Sequence, residues 1–331
     1  MQPLGIGLGV TIALLWGTAD ILATLAARRV GTFKATIISQ MSGLLALFSF
    51  AAIVFGAWHT TFTLSAFGIS ALIGLFTGLC AALGYFAFYR ALEIGPMAVI
   101  SPLTATSSAF TLLFAALILQ EHLSFGRLGL VTMIIFGIVL ASTSLAELRE
   151  LLHKPGYSLW SRGVRWAFVA TLAFGAMDFG IGASASICGW FLPVLWTRIF
   201  SILFLTLISL WKRHRQVAGQ PVTSPLSSSS QDQTTGLSLA NFAVKVRVWK
   251  SLSPLATGLF LAVTAGIIEN AAVLTFSYDT RIATTGITSA IASSYALVVM
   301  MFGMVVCHER LTKNQLMGIG MFTTGLILLA L

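Results

Sequence analysis

Charge is what this chain has least of: charged side chains make up 9% of its residues, with 10 acids against 19 lysines and arginines. A water-facing surface needs several times that density, so an ordinary soluble domain is excluded. Cysteine is scarce too, and Cys80, Cys188 and Cys307 lie too far apart for a metal spacing or a disulfide framework. The five histidines, His59, His122, His153, His214 and His308, fall in loops or at the ends of apolar runs. None of them forms a metal spacing with carboxylates or thiols, and no nucleophile stands beside a candidate base. Neither a metal nor any other cofactor is therefore expected. No basic segment precedes the first apolar run, because Arg28 and Arg29 follow it, so a cleaved signal peptide is not expected either.

What abounds is hydrocarbon, with 57% hydrophobic residues and a mean hydropathy of +0.94. The solvent for such a surface is lipid. A hydrocarbon core of about 30 Å takes about 20 apolar residues per helix. Ten such runs are present: Leu4 to Leu25, Ala35 to Ala57, Ala66 to Tyr89, Met97 to Leu119, Leu128 to Leu145, Trp166 to Ile187, Phe191 to Trp211, Pro254 to Ser277, Ala283 to Val306 and Asn314 to Leu331. The predicted fold is an all-α polytopic membrane protein with ten transmembrane helices.

A net charge of +9 does not point to nucleic acid, because the cations are sorted by loop. Sixteen of them, from Arg28 to Lys313, follow the first, third, fifth, seventh and ninth runs, whereas Arg127 and Arg281 lie on the other side and Arg198 lies inside a run. The positive-inside rule makes the crowded side cytoplasmic and places both termini outside. Lys212, Arg213 and Arg215 then act as a topology determinant.

The chain also repeats itself. Residues 89 to 143 lie over residues 277 to 331 at an offset of 188, matching Ser101 with Ser289, Phe114 with Phe302, Glu121 with Glu309 and Gly137 with Gly325. Earlier in each half the offset is 158, matching Gly17 with Gly175 and Asp20 with Asp178. The growth of 30 residues marks an insertion, and its Ser- and Pro-rich stretch from Ser224 to Ser230 has the composition of a disordered loop. The predicted organisation is a first five-helix repeat over 1–145, a cytoplasmic linker over 146–165, and a second repeat over 166–331 with a cytoplasmic insertion at about 212–250. Five spans per half is an odd number, so the repeats must be inverted, the arrangement that underlies alternating access. Gly5 with Gly9, and Gly74 with Gly78, have the spacing of close helix contacts.

The segment Pro96-Met97-Ala98-Val99-Ile100-Ser101-Pro102-Leu103-Thr104, with Leu119-Gln120-Glu121-His122-Leu123 and Gly137 after it, resembles the EamA domain of the drug/metabolite transporter superfamily. A second copy runs from Ala283 to Gly325 and includes Glu309-Arg310-Leu311. The resemblance implies a transporter of small metabolites, in many members an exporter, and implies no particular substrate. Thr284 and Ala290 replace Pro96 and Pro102 in the second copy, which predicts that the fourth and ninth helices bend differently.

Four ionisable residues lie deep within the runs, Asp20, Asp178, Arg198 and Glu269, where charge costs several kcal/mol on insertion scales. Counting residues from the outer loop places Asp178 and Arg198 at one level, so the two are expected to pair. Glu269 would then lack a cation and suit a proton carrier or the receptor of a substrate amine, with Asp20 the second proton-coupling candidate unless it reaches the cytoplasmic interface. The first-half counterparts of Arg198 and Glu269 are Gln40 and Ala81. Trp16 stands one turn before Asp20 and Phe174 one turn before Asp178, each a potential face for an organic cation. Hydroxyl stripes at Thr104, Ser107, Ser108 and Thr111 and at Thr285, Ser289 and Ser293, with Tyr85, Asn270 and Tyr295, either line a wet cavity or serve interhelical hydrogen bonding. Glu121 and Glu309 end their helices beside basic residues and are expected to position the turns that follow.

The function expected from these features is secondary transport of an amine, amino acid or amphipathic compound, exported and coupled to protons. A membrane enzyme or an ion channel is the alternative. The expected partners are a small-molecule substrate, the lipid bilayer and protons.

Overall fold

A computed structural model describes residues 3–58, 63–94, 97–118, 125–142, 162–218, 254–307 and 313–330. These residues form helices and short turns without a strand among them: α1 (Pro3–Val30), α2 (Thr32–Trp58), α3 (Leu64–Ile94), α4 (Met97–Ala105), α5 (Ser107–Ile118), α6 (Phe125–Ser142), α7 (Arg162–Cys188), α8 (Phe191–Ala218), α9 (Pro254–Asp279), α10 (Thr285–Ala292), α11 (Tyr295–Cys307) and α12 (Lys313–Ala330). Six of them, α1, α2, α3, α7, α8 and α9, are long and apolar enough to cross a bilayer. Glu121, Glu309 and residues 219–250, most of the predicted insertion, lie outside the described residues, while α8 carries the helix to Ala218.

Polarity is arranged inside out relative to a soluble protein. Ile53, Leu72, Leu117 and Ile187 are 65% exposed or more, whereas Gln40, Asp178, Arg198, Glu269 and Asn270 are buried. Lipid covers the first set, and the second set must find partners within the bundle. Hydroxyls on the outer surface satisfy themselves on their own helix, as Thr18 does on the Leu14 carbonyl at 2.8 Å and Thr206 on that of Ile202 at 2.8 Å.

Packing follows the small residues. α3 lies along both α7 and α8, α9 lies along both α1 and α2, and α6 packs on α12. Gly74 and Gly78 of α3 press on Trp196 and Phe200 of α8, and Gly266 of α9 presses on Ser39 and Ser42 of α2. Gly9 meets Ile291. A Cβ at any of these positions would collide, which is what close crossing in lipid requires. Gly31 and Gly189 join α1 to α2 and α7 to α8; both have φ of +82°, and each N–H closes its helix on the carbonyl four residues back, Ala27 and Ala185.

The predicted fourth and ninth helices are each broken in two. At Thr106 the N–H bonds back three residues to Leu103 O (3.2 Å), and Ala109 bonds back to Thr106 (3.0 Å). At Ser294 the corresponding bonds run to Ile291 O (3.1 Å) and from Leu297 to Ser294 (2.9 Å). Both breaks fall at the same place in the repeat, although Ala290 occupies the position of Pro102. Hydroxyls supply part of the reason, since Thr106 caps Leu103 O at 2.6 Å and Ser293 caps Ala290 O at 2.7 Å.

Candidate functional site

Two helices bring an aromatic ring and an acid to the bundle centre at one-turn spacing, Trp16 and Asp20 from α1 and Phe174 and Asp178 from α7. α3 adds Tyr85 and Phe88, α7 adds Met177, and α9 adds Glu269. Ser107 and Tyr295, each the first residue after a helix break, complete the lining. Together they enclose a cavity of about 50 Å³, room for a few waters.

The wall nearest Glu269 is braced by one arginine. Arg198, 2% exposed, donates from Nε to Asn270 Oδ1 (3.1 Å), from Nη1 to Gln40 Oε1 (2.6 Å) and from Nη2 to Glu269 Oε2. Its guanidinium lies 5.2 Å from the Tyr85 ring centre, and the Tyr85 hydroxyl donates to Glu269 Oε1. Four helices, α2, α3, α8 and α9, thus converge on a single charge pair whose polar atoms are almost all engaged. The expected partnership of Asp178 with Arg198 is corrected by this geometry: Arg198 belongs to Glu269. Depth along a helix fixes the level of a side chain but not its direction around the axis, and a long guanidinium reaches past its nearest neighbour.

Asp178 and Asp20 are left without that cation. Asp178 is 4% exposed and its Oδ1 has no hydrogen-bond partner; Oδ2 of Asp20 is likewise buried and unpartnered. Asp20 does not reach for the interfacial Arg28, whose Nε donates to Leu92 O at 3.1 Å. Rings surround both acids. Trp16 lies 5.7 Å from Phe276 and 6.1 Å from Tyr295, while Phe174 lies 5.0 Å from Tyr85 and 5.8 Å from Phe88, centre to centre.

Of the residues singled out in the sequence, Trp16, Asp20, Tyr85, Phe174, Asp178, Glu269 and Tyr295 share the cavity, and Gln40, Arg198 and Asn270 stand behind its wall. Thr104 touches it indirectly through the Tyr295 hydroxyl at 3.1 Å. Ser108 bonds to Ala105 O at 3.1 Å and Ser293 to Ala290 O, while Ser289 is buried within α10. Ser108 and Ser293 sit at the helix breaks and Ser289 inside α10, and none of the three is in the lining. Phe88 and Met177 line the cavity without having been singled out, and Ser107 is the member of its hydroxyl stripe that reaches the lining. Ser107 holds in the first half the position that Tyr295 holds in the second.

Long apolar helices packed around buried acids define an integral membrane protein with an internal cavity lined by aromatic rings and carboxylates. Residues 3–143 match the model of the EamA-like transporter family, which belongs to the drug/metabolite transporter superfamily. Members of the family are transporters. A solved crystal structure of a protein is similar over 100% of this chain and 99% of its own, with a TM-score of 0.63 at 14% identity, a likeness of fold alone. No curated protein matches the chain in sequence.

Proposed function

We propose that this chain is a secondary carrier of small solutes, working by alternating access between two inverted five-helix repeats. The broken pairs α4 with α5 and α10 with α11 each count as one span, which makes ten. The repeats occupy residues 1–145 and 166–331, the linker 146–165 and the insertion at about 212–250 are cytoplasmic, and both termini lie outside.

One observation carries this reading: contacts between the halves are reciprocal under the sequence offsets. Gly17 abuts Val298 and Tyr295 O, and its counterpart Gly175 abuts Phe110 and Ser107 O. Gly78 abuts Phe200 and Thr197 O, and its counterpart Gly266 abuts Ser42 and Ser39 O. Gly137 rests on Gly318, Met321 and Phe322, and Gly325 on Leu130, Met133 and Ile134. Two halves that grip each other identically can exchange conformations at small cost, opening the chamber to one side and then the other.

The chamber favours cations, since Asp20 and Asp178 face it and Arg198 is held by Glu269. Export of a cation opposes an inside-negative potential by about 2.3 kcal/mol per charge per 100 mV, so an exporter needs a coupled gradient, which inward-moving protons would supply. The two free carboxylates supply the places where those protons would ride. Uptake of labelled small amines into proteoliposomes, driven by an imposed pH gradient, tests this. Wild-type protein should accumulate an amine with release of protons, and Asp178→Asn should abolish the coupling; a panel of amines none of which moves would remove the carrier reading.

A further inference from the structure

Asp20 and Asp178 hold the same position in the two halves, and each brings a buried, unpartnered carboxylate oxygen to the same cavity. With Glu269 matched by Arg198, two acids from different helices, Asp20 of α1 and Asp178 of α7, line the cavity without that cation. A monovalent cation would neutralise only one. The remaining charge would stay buried, at a cost of several kcal/mol.

Five of the other lining residues are aromatic: Trp16, Tyr85, Phe88, Phe174 and Tyr295. Rings of this kind receive methylene groups by burial and ammonium groups through their faces. A bare divalent metal would find no oxygen cage there, and among the described residues no three histidine, cysteine, aspartate or glutamate side chains gather to hold one. Zwitterions fit poorly as well. The carboxylate of an amino acid would need a cation facing it, yet Arg198, bonded to Asn270, Gln40 and Glu269, is not among the residues lining the cavity.

We propose that the chamber recognises an α,ω-diamine, one ammonium group on Asp20 beside Trp16, the other on Asp178 beside Phe174, and the methylene chain against the rings between them. This names the cargo of the carrier proposed above and rests on that reading. Of the cargo classes expected from the sequence, this proposal takes the amine. Two protons, one on each aspartate, would replace the diamine on the return step and leave the chamber equally neutral.

Binding separates this from simpler amine recognition. Purified full-length protein would be titrated calorimetrically in detergent at neutral pH with propane-, butane-, pentane- and hexanediamine, and with the monoamine of each length. At the best length the diamine should bind about tenfold or more tighter than its monoamine, the equivalent of one further screened ion pair. Asp20→Asn and Asp178→Asn, which keep the side-chain shape, should each remove the diamine's advantage over the monoamine of the same length. Equal affinity for both series at every length would overturn the two-headed ligand, as would a diamine preference that survives both substitutions. Thermal unfolding of each variant shows that its fold is retained. Proteoliposomes then separate the two levels of the reading: movement of monoamines alone would retain the carrier and remove the diamine, whereas movement of neither series would remove both.

Discussion

Arg198 Nη1 donates to Gln40 Oε1 at 2.6 Å, although the two residues occupy the same position in their respective halves. Counterparts that touch must lie beside the axis relating the halves. The contact is nonetheless unequal, because Glu269, Asn270 and Tyr85, which complete the network, have as counterparts Ala81, Ala82 and Val273. A conformation in which the halves exchanged roles could not rebuild it from the same residue types.

Removing one member of this network should therefore be more damaging than removing both charges. Arg198→Gln strands the Glu269 carboxylate and is expected to cost about 3–5 kcal/mol, as is Glu269→Gln for the guanidinium. The double substitution should recover part of that loss. Thermal unfolding of the purified protein in detergent measures the cycle, and strict additivity of the two losses would show that the residues do not act as a pair.

Close crossings give a second test. Gly17→Leu and Gly175→Leu place a side chain against Val298 and Phe110 and should each cost about 1–3 kcal/mol or more by overpacking. Gly7 and Gly68 have open space where a Cβ would stand, so Gly7→Ala and Gly68→Ala should be neutral or stabilising by about 0.5–1 kcal/mol through helix propensity. Melting temperatures of the four variants should fall into these two groups.

The broken helices yield a third. The break at Ser294 forms without a proline, with Ala290 in the equivalent place, so Pro102→Ala should preserve the break at Thr106 and lower stability by less than about 1 kcal/mol. Amine uptake should persist in that variant. Loss of uptake with the fold intact would assign the break to the proline after all.

Aromatic neighbours of the acids give a fourth. Trp16→Ala and Phe174→Ala each remove a cation-facing ring worth about 0.5–2 kcal/mol, a weakening of amine binding of roughly twofold to thirtyfold. Trp16→Phe should restore most of it. Titration with one amine across the three variants reads the difference directly.

The apolar runs and the repeat were legible in the sequence, because lipid demands long uninterrupted hydrocarbon and because the two copies still share residues such as Gly137 and Gly325. That shared spacing also placed Asp20 and Asp178 in one site. Azimuth was not legible. Nothing in residue counting showed that Arg198 turns toward Gln40 and Glu269 and away from Asp178, since each step along a helix rotates a side chain by about 100° and the outcome depends on four helices at once. The helix breaks were hidden for a related reason: Pro102 drew notice in one half, while the hydroxyls at Thr106 and Ser293 that accompany both breaks look like ordinary stripe residues.

The central claim is that two inverted halves open the Asp20 and Asp178 chamber to one side at a time. Spin labels at Arg29 and Arg165 on one end of α1 and α7, and at Leu4 and Ser186 on the other, in a background without native cysteines, would measure it by double electron–electron resonance in lipid nanodiscs at acid and alkaline pH. Each pair should show two distances whose populations shift in opposite senses with pH, one end widening as the other narrows. A single unchanging distance at both ends, or both ends widening together, would contradict the account.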